Sequence, residues 1–342
     1  MIYDSQTYLQ SIDKVASSIK KEGGNILVTG ATGLVGSYLI DVLNVANQKY
    51  GKNFEIYALG RSEQRIKKRF CLNESIHIVA QDICTSITIP KLDYIIHTAS
   101  LADPKAYALY PVETLLTNVI GTKNVLDYCR TNNCRTIFTS SFEVNGNLNQ
   151  DEYSEDEYGI IDLNRIRSCY PESKRTAELL LRAYYDEYDV DCIIARLPSV
   201  YGPTMQESDS KAHAQFIRNA ISGDNIILKS RGTQKRTYCY VADIATGILT
   251  LLFSDISGEI YNIANRESIA TIAEVARTIA SIVGTEVKYE CPDSVEQKGF
   301  STPQNCVLRA DKLEALGWKG HYSLKDGMEE TINILFEMNK KV

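Results

Sequence analysis

The sequence contains no run of about eighteen or more apolar residues, so no membrane-spanning helix is expected. Its opening stretch, MIYDSQTYLQSIDKVASSIKKEGG, is polar with a helical pattern and lacks the apolar centre of a secretion signal. Paired cysteine spacing is also missing. The nine cysteines, at 71, 84, 129, 134, 169, 192, 239, 291 and 306, are odd in number and include no CxxC. That speaks against a disulfide framework and against a structural zinc site, and no metal is expected. Reduced thiols buried as small apolar groups fit a cytoplasmic location. Blocks of positive charge are absent as well. Lys and Arg number 37 against 43 Asp and Glu, a net charge of −6, and no basic stripe marks a nucleic-acid surface. This balance still leaves room for a phosphorylated ligand, since one well-placed arginine can hold a diphosphate. No repeat or low-complexity tract stands out.

What is present is a chain of 342 residues, 44% of them hydrophobic, enough for one large core and a smaller lobe. The segment NILVTGATGLVGSYLIDVLNVA reads as strand, tight turn and helix, with apolar Ile26 to Val28 followed by helical spacing at Val35, Leu39, Ile40 and Leu43. FEIYALGRS, IHIVAQDI and LDYIIHTAS predict three further strands. A helix is predicted from about Pro111 to Asn132, and CRTIFTSSFEV predicts a fifth strand. YPESKRTAELLLRAYYDEY predicts a long amphipathic helix, and VDCIIARLPSVYG a sixth strand. Strands alternating with helices imply an α/β fold with a parallel sheet covered on both faces. Beyond about Pro203 the alternation becomes irregular, which predicts a smaller lobe over the sheet's C-terminal edge. RTYCYVADIATGILTLLF is expected to return to the main body as a strand running into a helix.

Gly30, Gly33 and Gly36 stand in GxxGxxG spacing between the first strand and the first helix. Gly30 permits the turn, Gly33 lets the backbone approach a pyrophosphate, and Gly36 lets helix and strand pack closely. The helix N-terminus favours the anion. The position after the second strand separates NAD from NADP, because an acid there binds the ribose 2′-hydroxyl and an arginine suits a 2′-phosphate. Here Ala58-Leu59-Gly60-Arg61-Ser62 offers no acid and one arginine, which tilts the reading towards NADP. Arg61 covering the adenine, or simply solvated, is the alternative. Asp82 is placed to meet the adenine amine or to cap a helix.

Tyr170 and Lys174 form YxxxK, four residues apart on one helical face, so a phenol and an ammonium share one site. A free tyrosine has a pKa of about 10. A nearby ammonium and an oxidised nicotinamide are expected to lower it, so that Tyr170 takes the proton from a sugar hydroxyl as hydride leaves the same carbon.

With these residues in place the chain resembles a known family. GATGLVG, HTAS, TNVIGT, TSSFEVNG, YPESK, ARLPSVYGP and RTYCYVAD occur in the order found in the extended short-chain dehydrogenase/reductase family. From Asn25 to about Trp318 the chain is similar to its nucleotide-sugar epimerases and dehydratases. The resemblance implies a Rossmann doubly wound parallel sheet with a smaller C-terminal substrate-binding lobe. The divisions it implies are an N-terminal helical extension (1–24), an NAD(P)-binding domain (25–202, with a return segment at about 236–254) and a mainly substrate-binding part (203–342). It implies that Ser141 completes a triad with Tyr170 and Lys174. It places Thr32, Leu34, Val35, Ile83 and Ala99 along the dinucleotide, and Asn118 beside the site on the proton path. Arg236 matches the arginine that grips the substrate diphosphate. Ser199 stands where many relatives have asparagine. In the polar segments that face substrate, Lys211, His213 and Gln215 are candidate contacts.

The resemblance also frames the reaction. Members of this group first oxidise the sugar at C4. The dehydratases carry Thr-Asp-Glu where this chain has Ser141-Phe142-Glu143, and phenylalanine cannot donate a proton. UDP-glucuronate decarboxylases have no acid at the middle position and share the flavour of SLADPKAYALYPVETLLTNVIGT. Glu143 then serves as an orienting or proton-handling group. The expected activity is therefore decarboxylase-like, with 4-epimerisation next, then net NADPH-dependent reduction. A non-catalytic dinucleotide sensor is the reading from another class, and the intact Ser141, Tyr170 and Lys174 stand against it. A nucleotide sugar is the expected partner. A homodimer through the YxxxK helix is implied, with Leu179, Leu180 and Leu181 fitting either that contact or the core.

Overall fold

The computed structural model describes residues 2–148, 150–300 and 305–340. Seven parallel strands form the central sheet: β1 (Gly23–Thr29), β2 (Asn53–Gly60), β3 (Ile76–Ala80), β4 (Tyr94–His97), β5 (Arg135–Ser141), β6 (Cys192–Leu197) and β7 (Ile260–Asn262). Their order is β7-β6-β5-β4-β1-β2-β3. The direction of winding reverses between β1 and β4, which opens a crevice at the C-terminal edge where ligands bind in doubly wound sheets. Nearly every residue of β5 and β6 is buried, as expected of strands covered on both faces.

Helices supply both layers. On one face α1 (Gln6–Ala16) and α2 (Leu34–Tyr50) join the core of Ile26, Val28, Leu39 and Leu43. On the other, α3 (Pro111–Asn132) and α4 (Cys169–Tyr188) lie side by side and bury Val125, Leu126, Ala177 and Leu181 against Leu27, Ile95 and Ile194. Asn133 and Asp189 end these two helices in the left-handed conformation, a stop that asparagine and aspartate tolerate better than most residues.

The N-terminal helix is built into the first layer. Ser5 caps it by accepting from the Tyr8 backbone N–H. The fully buried Tyr8 hydroxyl donates to Asp41, which also pairs with Arg69 at 2.5 Å. Ser5 and Thr7 donate to Glu337 of α6 (Leu324–Asn339, which lies later in the chain than α5, Val241–Leu252), so the first and last of the labelled helices are tied together.

Three features depart from the sequence reading. The predicted sixth strand breaks at Pro198, which has no N–H to donate, and Ser199–Tyr201 leaves the main sheet. It pairs instead with Lys235–Tyr240, which pairs in turn with Ile269–Thr271. The strand of RTYCYV therefore lies outside the main sheet, although the helix after it, α5, packs on β5, β6 and α2. The edge strand β7 was not foreseen, because three residues are too few to show a period. Among the described residues no helix is long and apolar enough to cross a membrane.

Candidate active site

The glycine loop joins β1 to α2 at the crevice. Gly30 has φ +68°, and a Cβ there would sit 2.9 Å from the Ala99 Cα. A Cβ on Gly36 would meet the Gly30 carbonyl oxygen at 2.6 Å. Gly33 caps α2 without any side-chain hydrogen bond, so the first N–H groups of the helix face the crevice. Thr29 Oγ1 accepts from the backbone N–H groups of Thr98 and Ala99, both at 3.1 Å, and fixes the end of β4 beside the loop. From the segment after Ser199–Tyr201, Thr204 donates to the Leu34 carbonyl and Gln206 to the Thr32 carbonyl. Val35 is half-buried against the core. The geometry suits a dinucleotide, and buried Ser100 Oγ and Asn118 Oδ1 have no hydrogen-bond partner among the described residues. Asn118 is anchored through its amide, which donates to Ser173 Oγ at 2.9 Å.

Around Asp82 a cavity of about 470 Å³ is lined by Asp82, Cys84, Tyr110, Glu113 and Thr117, among others. Asp82 closes a turn by accepting from the Cys84 N–H. Ile83 points into the core under Gly121, and its carbonyl accepts from the Asn124 amide at 2.8 Å. Arg61 is ion-paired with Glu113 from the first turn of α3.

Ser141, Tyr170 and Lys174 meet where β5 ends and α4 begins. Ser141 Oγ accepts from the Glu143 N–H at 3.3 Å and caps the turn Phe142–Asn145. The Tyr170 hydroxyl faces Ser141 and Tyr107, and both favour its ionised form. The expected lowering of the Tyr170 pKa is not what the chain's own groups produce. Burial, and then the negative charge of Glu143, outweigh Ser141, Tyr107 and Arg167 and push the phenol up to about 12. The ammonium of Lys174 donates to the Thr139 carbonyl at 2.8 Å and lies over the Phe138 ring. Burial lowers its pKa to about 7, against the pull of Glu178.

Glu143 is 8% exposed and forms a two-pronged ion pair with buried Arg167, one bond being Nη2 to Oε1 at 2.8 Å. Burial alone would raise its carboxyl, but Arg167, with Arg236 and Lys211 beyond it, holds the group below the usual carboxylate range. Glu143 is therefore an anion at neutral pH. It and Arg167 form part of the wall of a cavity of about 550 Å³.

The other predicted contacts are more dispersed. The Arg236 guanidinium stacks over Phe142 at 5.4 Å, donates to Gln234, and keeps a buried Nε without a hydrogen-bond partner among the described residues. Ser199 is half-buried beside Tyr238 in the small sheet. Lys211 pairs with Asp209 and Gln215 donates to the Ser210 carbonyl, so both polar ends are held locally. His213 is buried against the Val200 carbonyl, and burial lowers its pKa to about 4. Of the three leucines, Leu181 is core, Leu180 half-buried and Leu179 67% exposed.

Sequence reasoning missed Arg167 and Tyr107. Tyr107, on the short helix Pro104–Leu109, stacks on Tyr170 with ring centroids 4.5 Å apart. Neither sits in a strongly patterned segment. An arginine in a polar loop reads as solvated, and only its place three residues before Tyr170 hinted at the site. Also missed was a buried layer beneath the site, where fully buried Arg196 pairs with Glu178 at 2.7 Å and Glu178 accepts from Ser140.

A doubly wound parallel sheet with a glycine loop at its switch point is the architecture of dinucleotide-binding enzymes. The profile of the NAD dependent epimerase/dehydratase family matches residues 26–264. UDP-glucuronic acid decarboxylase 6 of Arabidopsis thaliana is 31% identical over 323 residues, 92% of this chain and 91% of that protein. UDP-glucuronic acid decarboxylase 1 of Danio rerio is 30% identical over 95% of this chain and 76% of its own length. The fold is shared with the NAD-bound dTDP-glucose 4,6-dehydratase DesIV of Streptomyces venezuelae (TM-score 0.79, 23% identity, 93% of this chain and 98% of that one). It is shared too with the UDP-glucuronic acid 4-epimerase of Bacillus cereus in complex with UDP-glucuronic acid and NAD (TM-score 0.78, 22% identity, 92% and 99%). The chain belongs to the NAD-dependent epimerase/dehydratase family of enzymes and is similar over most of its length to UDP-glucuronic acid decarboxylases.

Proposed function

We propose that this protein oxidises a nucleotide-activated uronic acid at C4, releases its C5 carboxylate as carbon dioxide, and reduces C4 again, with UDP-glucuronate as substrate. The observation that carries this reading is Glu143, a buried carboxylate held ionised by Arg167 next to Ser141 and Tyr170, with Phe142 at the position between. The resemblance to named UDP-glucuronic acid decarboxylases supports it.

Bound nicotinamide supplies a reversible acceptor for the C4 hydride. Tyr170 takes the O4 proton while Ser141 donates to O4, which leaves a ketone at C4. The substrate is then a β-keto acid. The electrons of its C5–carboxylate bond flow towards the C4 carbonyl and carbon dioxide departs, with the enolate oxygen held by Ser141 and Tyr170. Ionised Glu143 cannot itself donate the proton that C5 then needs. It accepts a hydrogen bond instead and orients the group, or the water, that delivers that proton. Arg236 takes the diphosphate, with its Nε, unpartnered among the described residues, as one donor.

NAD is the cofactor in this reading, against the tilt that Arg61 alone suggests. Glu113 already matches the charge of Arg61 and brings to the site the carboxylate that the second strand lacks. The protein works as a homodimer through α3 and α4, whose outer faces expose Val112, Leu116, Ile120 and Leu179. Its nine free cysteines, Cys71 and Cys291 exposed among them, suit the cytoplasm.

The test is a mass-spectrometric product screen. Purified protein is incubated with UDP-glucuronate, UDP-glucose or UDP-N-acetylglucosamine, with NAD or NADP. The expected result is loss of the mass of carbon dioxide from UDP-glucuronate alone, with NAD preferred. Unchanged mass with altered sugar chromatography would mean 4-epimerisation and would overturn the proposal.

A further inference from the structure

We propose that Tyr107 is a positioning residue for the proton transfer, its hydroxyl donating to the Tyr170 oxygen while its ring, held between Tyr170 and the Arg167 guanidinium, aims that oxygen towards Ser141. The inference rests on the reading of Tyr170 as the base. The two rings are 19° from parallel with centroids 4.5 Å apart, and Arg167 lies 5.2 Å from the Tyr107 ring on the way to Glu143. Tyr107 is 3% exposed and forms a small apolar cluster with Cys169 and Tyr170, separate from the two main cores.

The short helix that carries Tyr107 is fixed from both ends. Asp103 caps it by accepting from the N–H groups of Lys105 and Ala106, and also accepts from the Ser210 N–H at 2.7 Å. At its other side Cys169 Sγ reaches the Tyr107 carbonyl. The ring is thereby held between the substrate-side segment and the start of α4.

Several groups face the Tyr170 hydroxyl. They are Ser141 from β5, Glu143 and Arg167 from the segments after β5 and before α4, and Tyr107 from the short helix, while Lys174, one turn along α4, is turned to the Thr139 carbonyl. Glu143 opposes ionisation, and the hydroxyls of Ser141 and Tyr107 favour it. Burial, with the surrounding negative charge, keeps Tyr107 itself protonated far above its ordinary range, so it remains a donor when Tyr170 becomes a phenolate. Ser141 must turn to the substrate oxygen during the reaction.

The decisive variant is Tyr107→Phe, which keeps the ring and removes the hydroxyl. In the NAD-bound protein carrying isotope-labelled tyrosine, the ζ-carbon resonance of Tyr170, assigned with Tyr170→Phe, is expected to titrate about one to two pH units later, the size of a charge-assisted hydrogen bond. With UDP-glucuronate, single-turnover hydride transfer is expected to fall about tenfold at neutral pH and to recover at alkaline pH. KM and the thermal midpoint should change little. A Tyr170 titration that overlays the wild type overturns the proposal, as does a rate loss equal at every pH. The titration needs no substrate, so it reads this inference even if UDP-glucuronate is inert. Retained turnover in Tyr170→Phe would instead remove the base assignment on which the inference stands.

Discussion

Replacing Glu143 by glutamine tests the centre of the site in two independent ways. The carboxylate is 8% exposed and its partner Arg167 6% exposed, so neither charge has water to fall back on. Removing one member of such a pair leaves the other buried and uncompensated, a cost of about 3–5 kcal/mol. Against a total stability of roughly 5–15 kcal/mol this is a large share. With a urea slope near the upper end of about 1–3 kcal/mol per molar for a chain this long, the midpoint should fall by on the order of 1 M. Arg167→Met and Glu143→Met should each cost a similar amount. The double variant Glu143→Met with Arg167→Met, which removes both charges, should lie within about 1–2 kcal/mol of the wild type, because well-packed apolar groups replace a buried pair at little cost. The carboxyl is held below its ordinary value of 4.5 in the folded protein. Its stabilising contribution is thus present above that pH and lost as pH falls below it, so wild type and Glu143→Gln should converge in acid. For activity, the substitution removes the charge that opposes Tyr170 ionisation, so hydride transfer should persist. Release of carbon dioxide should fall about 10²-fold, the scale of losing one preorganised polar group. Urea denaturation of the four variants and of the wild type, with single-turnover and product assays, reads all of this. Single-variant costs below about 1 kcal/mol, or costs that simply add in the double variant, would refute the reasoning.

Lys174→Met should abolish turnover yet stabilise the cofactor-free protein. Burial lowers the ammonium from 10.5 to about 7. The cost of burying it is full below pH 7 and fades as pH rises towards the unfolded value of 10.5. Met should therefore gain on the order of 2–4 kcal/mol in acid to neutral solution, after the lost bond to Thr139, and progressively less towards pH 10.5, as thermal melts across pH would show. Gly36→Ala would place a Cβ 2.6 Å from the Gly30 carbonyl and 3.0 Å from Thr98 Oγ1. Opening the loop to admit it should cost about 1–3 kcal/mol and strip the dinucleotide, measured as nicotinamide retained through purification; undiminished retention would show that the loop can shift freely.

Much of the scaffold is written locally. The strands of the central sheet up to β5 show in continuous apolar runs, and the glycine spacing, the YxxxK pair and the position of Ser141 each follow from short-range rules about turns, helical faces and motif order. Those rules act over a few residues, so a single sequence carries them. Other features depend on where distant segments meet. β7 is three residues long, and only the free edge of β6 makes it a strand. Arg61 reads as an NADP signal until Glu113, 52 residues away, meets its guanidinium. Tyr170 reads as an easily ionised phenol beside a lysine, but the folded chain buries it, sets Glu143 near it and turns Lys174 to a backbone carbonyl. Arg167 and Tyr107 carry no pattern of their own, and packing alone makes them neighbours of the base. The sequence determined which chemical groups the site would contain. Burial and charge pairing, which arise only when segments far apart exclude water together, decided their protonation and their partners.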